Sequence, residues 1–202
     1  MNFKLNETPK PRFYVVDDFY EDPFAIRDYA LQQVYYENQG AVGLRTSEQF
    51  LFDGVKERFE QIMQRSIPDH TESGYGWYDK GINGRFQSCK AGVTSVFHMD
   101  AQSWAGVIYL TPDAPPQSGT SFYRHKVSKI RHNDEINWDA GEGIRVFNQH
   151  TFIDPTPYER VDTVGNVFNR LVIFDGKLLH SGHDYFGWDI ASSRLFQIFF
   201  FD

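Results

Sequence analysis

The chain has 202 residues, of which 41% are hydrophobic and 23% charged, a mixture that excludes disorder and fits one domain spanning residues 1–202. Its 20 basic and 27 acidic residues leave a net charge of −7, which argues against nucleic acid as a partner for the whole surface. Cys89 is the single cysteine, so an internal disulfide framework and a Cys-rich zinc site are excluded. No run approaches 18 apolar residues and the N-terminus carries no apolar leader segment, so the expectation is a soluble, cytoplasmic protein without membrane association.

In chain order, residues 1–11 read as a polar, extended lead-in, and Arg12 to Val16 as a short strand. Asp22-Pro23 supplies a helix cap followed by proline at the first helical position. The spacing of Phe24, Ile26, Tyr29, Ala30 and Val34 predicts a helix from Pro23 to about Tyr35. A second helix is expected from Asp53 to about Ser66, with Val55, Phe59, Ile62 and Met63 on one face and Pro68 beyond its end. From Gly74 onward, short aromatic and β-branched runs alternate with Gly, Pro, Asn and Asp. Strands are expected near Gly76–Tyr78, Arg85–Cys89, Thr94–Asp100, Gly106–Leu110, Thr120–His125, Leu171–Phe174, Lys177–His180 and Arg194–Phe201. Residues 126–169 mix charged, helix-like pieces with turn signals and read as a long insertion, the kind of segment that covers a site. Helices followed by many short strands give an all-β core with flanking helices (α+β). The expected architecture is a jelly roll with the N-terminal helices packed on one sheet.

The segment VTSVFHMD, residues 93–100, carries the first chemical signal. Residues two apart in a strand share a face, so His98 and Asp100 point together while Phe97 and Met99 face the core. An imidazole and a carboxylate so placed can occupy neighbouring positions on one metal ion, with a third ligand from elsewhere. Two histidines and one carboxylate leave three open sites, the arrangement of non-heme Fe(II) oxygenases. Alone, His-x-Asp is a weak signal, more often a half-buried histidine paired with a neighbouring carboxylate than a metal site.

The C-terminal stretch NRLVIFDGKLLHSGHDYFGWDIASSRLFQIFFFD adds three features. An apolar strand meets an Asp175-Gly176 turn, a second strand ends in His180, and Arg194 opens a very apolar final strand. Arg194 reads either as an edge residue that snorkels to water or as a bidentate clamp for a carboxylate.

The ordered set of segments QSCKAGVTSVFHMD, WAGVIYLT, SGTSF, FDGKLLHSG and RLFQIFFFD resembles the Fe(II)/2-oxoglutarate-dependent dioxygenases, most nearly their prolyl-4-hydroxylase-like branch. The resemblance runs from about Arg85 to Asp202, less the insertion. It implies a double-stranded β-helix and a hydroxylase of an amino-acid side chain, free or in a protein, or of a small metabolite. It also implies Fe(II), O2 and 2-oxoglutarate, the last decarboxylated to succinate and CO2. Carried over, His98, Asp100 and His180 would bind iron, Arg194 would pair with the distal carboxylate of 2-oxoglutarate, and Tyr109 would donate its hydroxyl to the same group. Asp100 would favour hydroxylation over halogenation, because related halogenases have a small residue there.

His183 competes with His180. It lies 11 residues before Arg194 against 14 for His180, nearer the short spacing of prolyl hydroxylases. His180 is favoured because a strand fixes a ligand better than a loop. Three departures stand out. Cys89 replaces a tyrosine common in the family, a contact then missing or taken by Gln87; Thr111 replaces an asparagine; and Leu195, Phe196 and Gln197 follow Arg194 where a serine or threonine is common. Two other readings stay open: a cupin-like metal protein without 2-oxoglutarate chemistry, and a non-enzymatic sandwich. His70, His132 and His150 are expected at the surface, His125 on a surface strand, and Trp77 and Trp104 in packing. Asn169-Arg170 reads as a strand start or as support for the iron site. Trp138, Arg145, Phe147 and Tyr158 are candidates to cover the cavity mouth.

Overall fold

A computed structural model describes residues 3–37, 40–146 and 152–202. The chain begins with β1 (Phe13–Val16) and α1 (Pro23–Leu31), followed by β2 (Tyr35–Glu37), β3 (Leu44–Thr46) and α2 (Val55–Met63). Then come β4 (Phe86–Cys89), β5 (Trp104–Tyr109), β6 (Thr120–His125), α3 (Glu142–Val146) and β7 (Tyr158–Val164). β8 (Leu171–Asp175), β9 (His180–Gly182) and β10 (Arg194–Phe201) complete it. Seven strands form one antiparallel sheet in the order β1-β8-β5-β10-β4-β3-β2, and β7-β6-β9 form a second. No helix among the described residues is long and apolar enough to cross a membrane.

The period-2 alternation of a strand gives the large sheet two apolar faces. In β10, Leu195, Phe199 and Phe201 join the cluster that contains Phe59 and Met63 of α2 and Ala30 of α1. Phe196 and Ile198, on the opposite face, join Val107 and Tyr109 of β5 and Phe122 of the second sheet. One strand thus builds two cores. The second face carries the cavity described below.

The helices are shorter than their patterns predict. Asp22 Oδ1 accepts the Ala25 N–H at 3.0 Å and starts α1 as expected. The N–H groups of Gln32 and Gln33 then turn back to the carbonyls of Tyr29 and Ala30, and the chain enters β2. Tyr35 is therefore a strand residue, paired with Thr46. α2 stops at Met63 because Gln64 takes a left-handed φ of 53°.

Expected strands at Thr120–His125 and Arg194–Phe201 match β6 and β10 in both bounds. Residues 76–78 form no strand; they lead into a short 3-10 turn at Asp79–Gly81. The segment 94–100 is extended but makes one bridge only, between His98 and His180. β2 and β3 were not expected. β7 lies within the stretch read as an insertion, where it pairs with β6 along Thr120↔Val164 to His125↔Tyr158. Its side chains Val161 and Asp162 are exposed, so it lacks the apolar run that marks a buried strand.

Gly106 in β5 lies under the Phe59 ring. A Cβ there would fall 2.8 Å from Phe59 Cε1 and 3.3 Å from Phe199 Cβ. Gly106→Ala is therefore expected to overpack the helix–sheet junction and to lower stability by about 1–3 kcal/mol. Urea denaturation checks this. Adding Phe59→Leu should return part of the loss, and a single mutant as stable as the parent would show that α2 does not bear on β5 as described.

Candidate metal centre

His98 and His180 face each other across an isolated antiparallel bridge. The His98 N–H donates to the His180 carbonyl at 3.0 Å, and the His180 N–H donates back at 2.9 Å. Directly opposed residues in such a pair place their side chains on the same face. The imidazole centroids lie 4.3 Å apart at 51°. Asp100, two residues beyond His98, points to the same side, its N–H fixed on the Gly176 carbonyl at 2.7 Å.

Backbone carbonyls set the ring orientations. His98 Nδ1 lies 3.1 Å from the Val96 carbonyl and His180 Nδ1 2.7 Å from that of Leu178. With Nδ1–H donating there, each Nε2 lone pair is left for the interior. His98 Nε2 is 3.4 Å from Asp100 Oδ1, and His180 Nε2 is 3.5 Å from Oδ2. One ligand atom from each of the three residues lies within 4.8 Å of the others. Cis ligands on an ion bonded at about 2.1 Å are separated by about 3 Å, so the donor set suits a divalent ion. Asp100 Oδ2 is buried and makes no hydrogen bond with the described residues, an acceptor awaiting a partner.

The electrostatics agree. Burial, reinforced by His98, pushes the His180 pKa down to about 4, keeping this imidazole neutral and able to ligate. Burial works to raise Asp100, but the neighbouring His180 and His98 outweigh it and its pKa falls. Burial works to lower His98, yet its hydrogen bond to Asp100 prevails and its pKa rises.

The three side chains border a cavity of about 330 Å³ that also receives Arg194. Arg194 is 3% exposed. Its Nε donates to the Ser118 carbonyl at 2.8 Å, its Nη2 reaches that of Gly119 at 3.4 Å, and its guanidinium sits 4.3 Å from the Phe196 ring centroid. Among the described residues it makes no salt bridge with any carboxylate. A desolvated cation with only backbone acceptors is costly and invites an anion.

Tyr109 is fully buried and does not border the cavity; its hydroxyl lies 2.9 Å from Thr120 Oγ1, and Thr120 does border it. Gln87 borders it too, but its amide is committed, accepting from Arg45 Nε at 2.8 Å and donating to the Val42 carbonyl at 2.6 Å. Cys89 is buried against the Val42 carbonyl, and burial pushes its thiol up. His183 stands outside the cluster. Its Nε2 is 2.6 Å from Ser121 Oγ and its Nδ1 3.0 Å from Asp184.

Sequence reasoning missed Arg45, on the unforeseen β3, and Tyr185, in the loop after β9; both border the cavity. Trp138 is exposed, and Tyr158 is buried against Phe97; neither borders the cavity. Phe147, His150 and the Arg145 side chain lie outside the described residues. Trp77 is core, and Trp104 is half-buried against Tyr14. His70 is exposed and His125 closes a turn with Ser128. Asn169 staples the N-terminal segment to the core through both main-chain groups of Tyr20, and Arg170 pairs with Asp17, so neither supports the metal centre.

Residues 93–184 match a family of unknown function, DUF6445. No curated protein sequence matches the chain. A prolyl hydroxylase from Trichoplax adhaerens, solved with a hypoxia inducible factor peptide, is similar at TM-score 0.50 and 13% identity, covering 94% of this chain and 83% of its own. HygX from Streptomyces hygroscopicus, solved with nickel, 2-oxoglutarate and hygromycin B, is similar at TM-score 0.51 and 9% identity, covering 93% and 82%. AviO1 from Streptomyces viridochromogenes Tue57 is similar at 0.51 and 12%, covering 95% and 90%. The chain therefore shares the fold of these proteins, a mostly antiparallel jelly roll.

The turn that receives Asp100 is itself clamped. Asp175 forms an ion pair with Arg12, lies 3.1 Å from His132 Nε2 and accepts the Lys177 N–H at 3.0 Å. His132, expected at the surface, is 5% exposed because it fills this cluster. Asp175→Ala is expected to cost about 1–3 kcal/mol, since it strands two cationic or polar partners. Urea denaturation of the metal-free protein measures it, and an unchanged midpoint would show that the cluster is not structural.

Proposed function

We propose that the chain is a non-heme Fe(II)- and 2-oxoglutarate-dependent dioxygenase. It would hydroxylate an amino-acid side chain, free or in a protein, or a small metabolite. One observation carries this reading: two imidazoles and one carboxylate converge at the edge of a cavity that also holds a buried arginine without a carboxylate partner among the described residues. His98, Asp100 and His180 would hold the ferrous ion on one face, leaving the rest of its coordination shell to co-substrate and gas. When bound, iron and 2-oxoglutarate together supply the activation of O2, coupled to decarboxylation of the keto acid to succinate and CO2.

The protein's part is position and exclusion of water. Arg194 would receive the distal carboxylate of 2-oxoglutarate through the guanidinium edge not spent on Ser118 and Gly119. Thr120, held by the Tyr109 hydroxyl, would face the same carboxylate, so Tyr109 would act through Thr120. Tyr185, its hydroxyl kept protonated by burial, would flank it. Val107, Phe174, Phe196 and Ile198 line the cavity and would keep water from the reacting atoms. A cupin-like metal protein without keto-acid chemistry would leave Arg194 without a purpose.

Anaerobic addition of Fe(II) and then 2-oxoglutarate should give a weak visible charge-transfer band, and its absence would sink the proposal. Arg194→Ala should raise the 2-oxoglutarate concentration for half-development of that band by at least about tenfold, the loss of one charged hydrogen-bonded contact. In calorimetric titration with Mn(II), His180→Ala should weaken binding by about 100-fold or more and His183→Ala by less than about threefold. The reverse order would move the third ligand to His183.

A further inference from the structure

The cavity holds a second arginine that iron and 2-oxoglutarate do not explain. Arg45 sits in β3 opposite Gln87 of β4, which lies opposite Phe196 of β10, so the three side chains share the inner face of the large sheet. Arg194 is two residues from Phe196 on the same face. The Arg45 guanidinium is held by one edge. Gln87 Oε1 accepts its Nε–H at 2.8 Å, and the other end of that amide is tied to the Val42 carbonyl. Its Nη atoms make no hydrogen bond or salt bridge among the described residues. Burial pushes its pKa down to about 10, with Arg85 adding to the fall, so the group is desolvated yet still charged near neutrality. Asp100, across the cavity, works the other way and favours its charged form, while Val42, Ile82 and Phe196 supply apolar wall to the same cavity. Lys80 stands at the rim over the Tyr75 ring, 3.6 Å from its centroid.

Charge balance makes the point. Arg45, Lys80 and Arg194 meet one carboxylate, Asp100, among the cavity-lining residues. A divalent ion adds two positive charges and 2-oxoglutarate brings two negative ones, which leaves the cavity cationic. A guanidinium fixed along one edge and open at its terminal nitrogens is shaped for a planar, two-oxygen anion.

We propose that Arg45 is the anchor for the prime substrate, which is a compound carrying a free carboxylate beside an apolar body. Gln87 is the positioning residue that aims it. This rests on the oxygenase reading for the word substrate, whereas binding of a carboxylate at Arg45 does not require it.

The test uses the full chain loaded with Mn(II) and 2-oxoglutarate without O2. Benzoate, isobutyrate and hexanoate are each titrated calorimetrically against the matching carboxamide. At least one acid should bind at least about tenfold more tightly than its amide. Arg45→Gln should reduce that preference to less than about twofold, and Arg45→Lys, which keeps charge without the fork, should retain an intermediate one. Melting curves identify any variant that has not folded, and the lysine variant then decides. Equal binding of every acid and amide by the parent, or a preference that survives both Arg45 variants, would overturn the proposal. So would an Arg45→Gln variant that loses 2-oxoglutarate binding by about tenfold, which would make Arg45 a co-substrate contact. If the parent binds no 2-oxoglutarate but keeps an Arg45-dependent acid preference, the oxygenase reading falls and the carboxylate site stands.

Discussion

The arrangement depends on two reciprocal main-chain hydrogen bonds between His98 and His180. Side-chain contacts alone would have to hold two imidazoles and a carboxylate in place against their rotamer entropy, at a cost of up to about 2 kcal/mol per side chain. The backbone bridge removes most of that freedom in advance. It opposes two residues separated by 82 positions, and the pleat then brings Asp100 alongside. The carbonyls of Val96 and Leu178 complete the task by turning each ring. The Asp175 cluster extends the same logic outward, since it fixes the turn whose carbonyl receives Asp100.

The site is built against stability. A buried guanidinium without a carboxylate partner among the described residues and a buried carboxylate oxygen without a donor each raise the free energy of the folded chain. The fold offsets this through the aromatic core on the other face of the large sheet, where Phe59, Trp77, Phe199 and Phe201 meet at centroid distances of 4.8 to 5.9 Å. Division of labour between the two faces of one strand, β10, lets a polar cavity and a dense aromatic core share the same backbone.

Much of this was legible in the sequence because it is written in short-range pattern. His-x-Asp on an extended segment, an apolar strand ending at His180 and an arginine opening the last strand are local signals. The strands that carry His180 and Arg194 were found for the same reason, although β9 begins at His180 where the pattern ends at it. What escaped was set by distant partners. β2 and β3 are three residues each; β3 exists because β4 offers it an edge and β2 because β3 does, so Arg45 had no visible strand to sit on. β7 pairs with β6 through a largely exposed, charged run that reads as a loop. His132 looks polar and solvated in sequence, yet Arg12 and Asp175, 120 residues behind and 43 ahead, bury it. Tyr109 follows the pattern of a ligand-facing residue, but its hydroxyl is joined to that of Thr120, a partner 11 residues away that the local pattern does not reveal.

Net charge describes the whole chain and not the cavity. A total of −7 argues against nucleic acid as a partner for the surface as a whole. The cavity has the opposite sign, with Arg45, Lys80 and Arg194 gathered around Asp100. Low-dielectric walls strengthen that local field, while the acidic remainder of the molecule repels polyanions at long range. On the reading proposed above, a small mono- or dicarboxylate would cross the weak outer field at little cost and gain the strong inner one. The sign of the charge that an anion meets therefore depends on the scale over which it is summed: negative over the whole chain, positive among the side chains of the cavity.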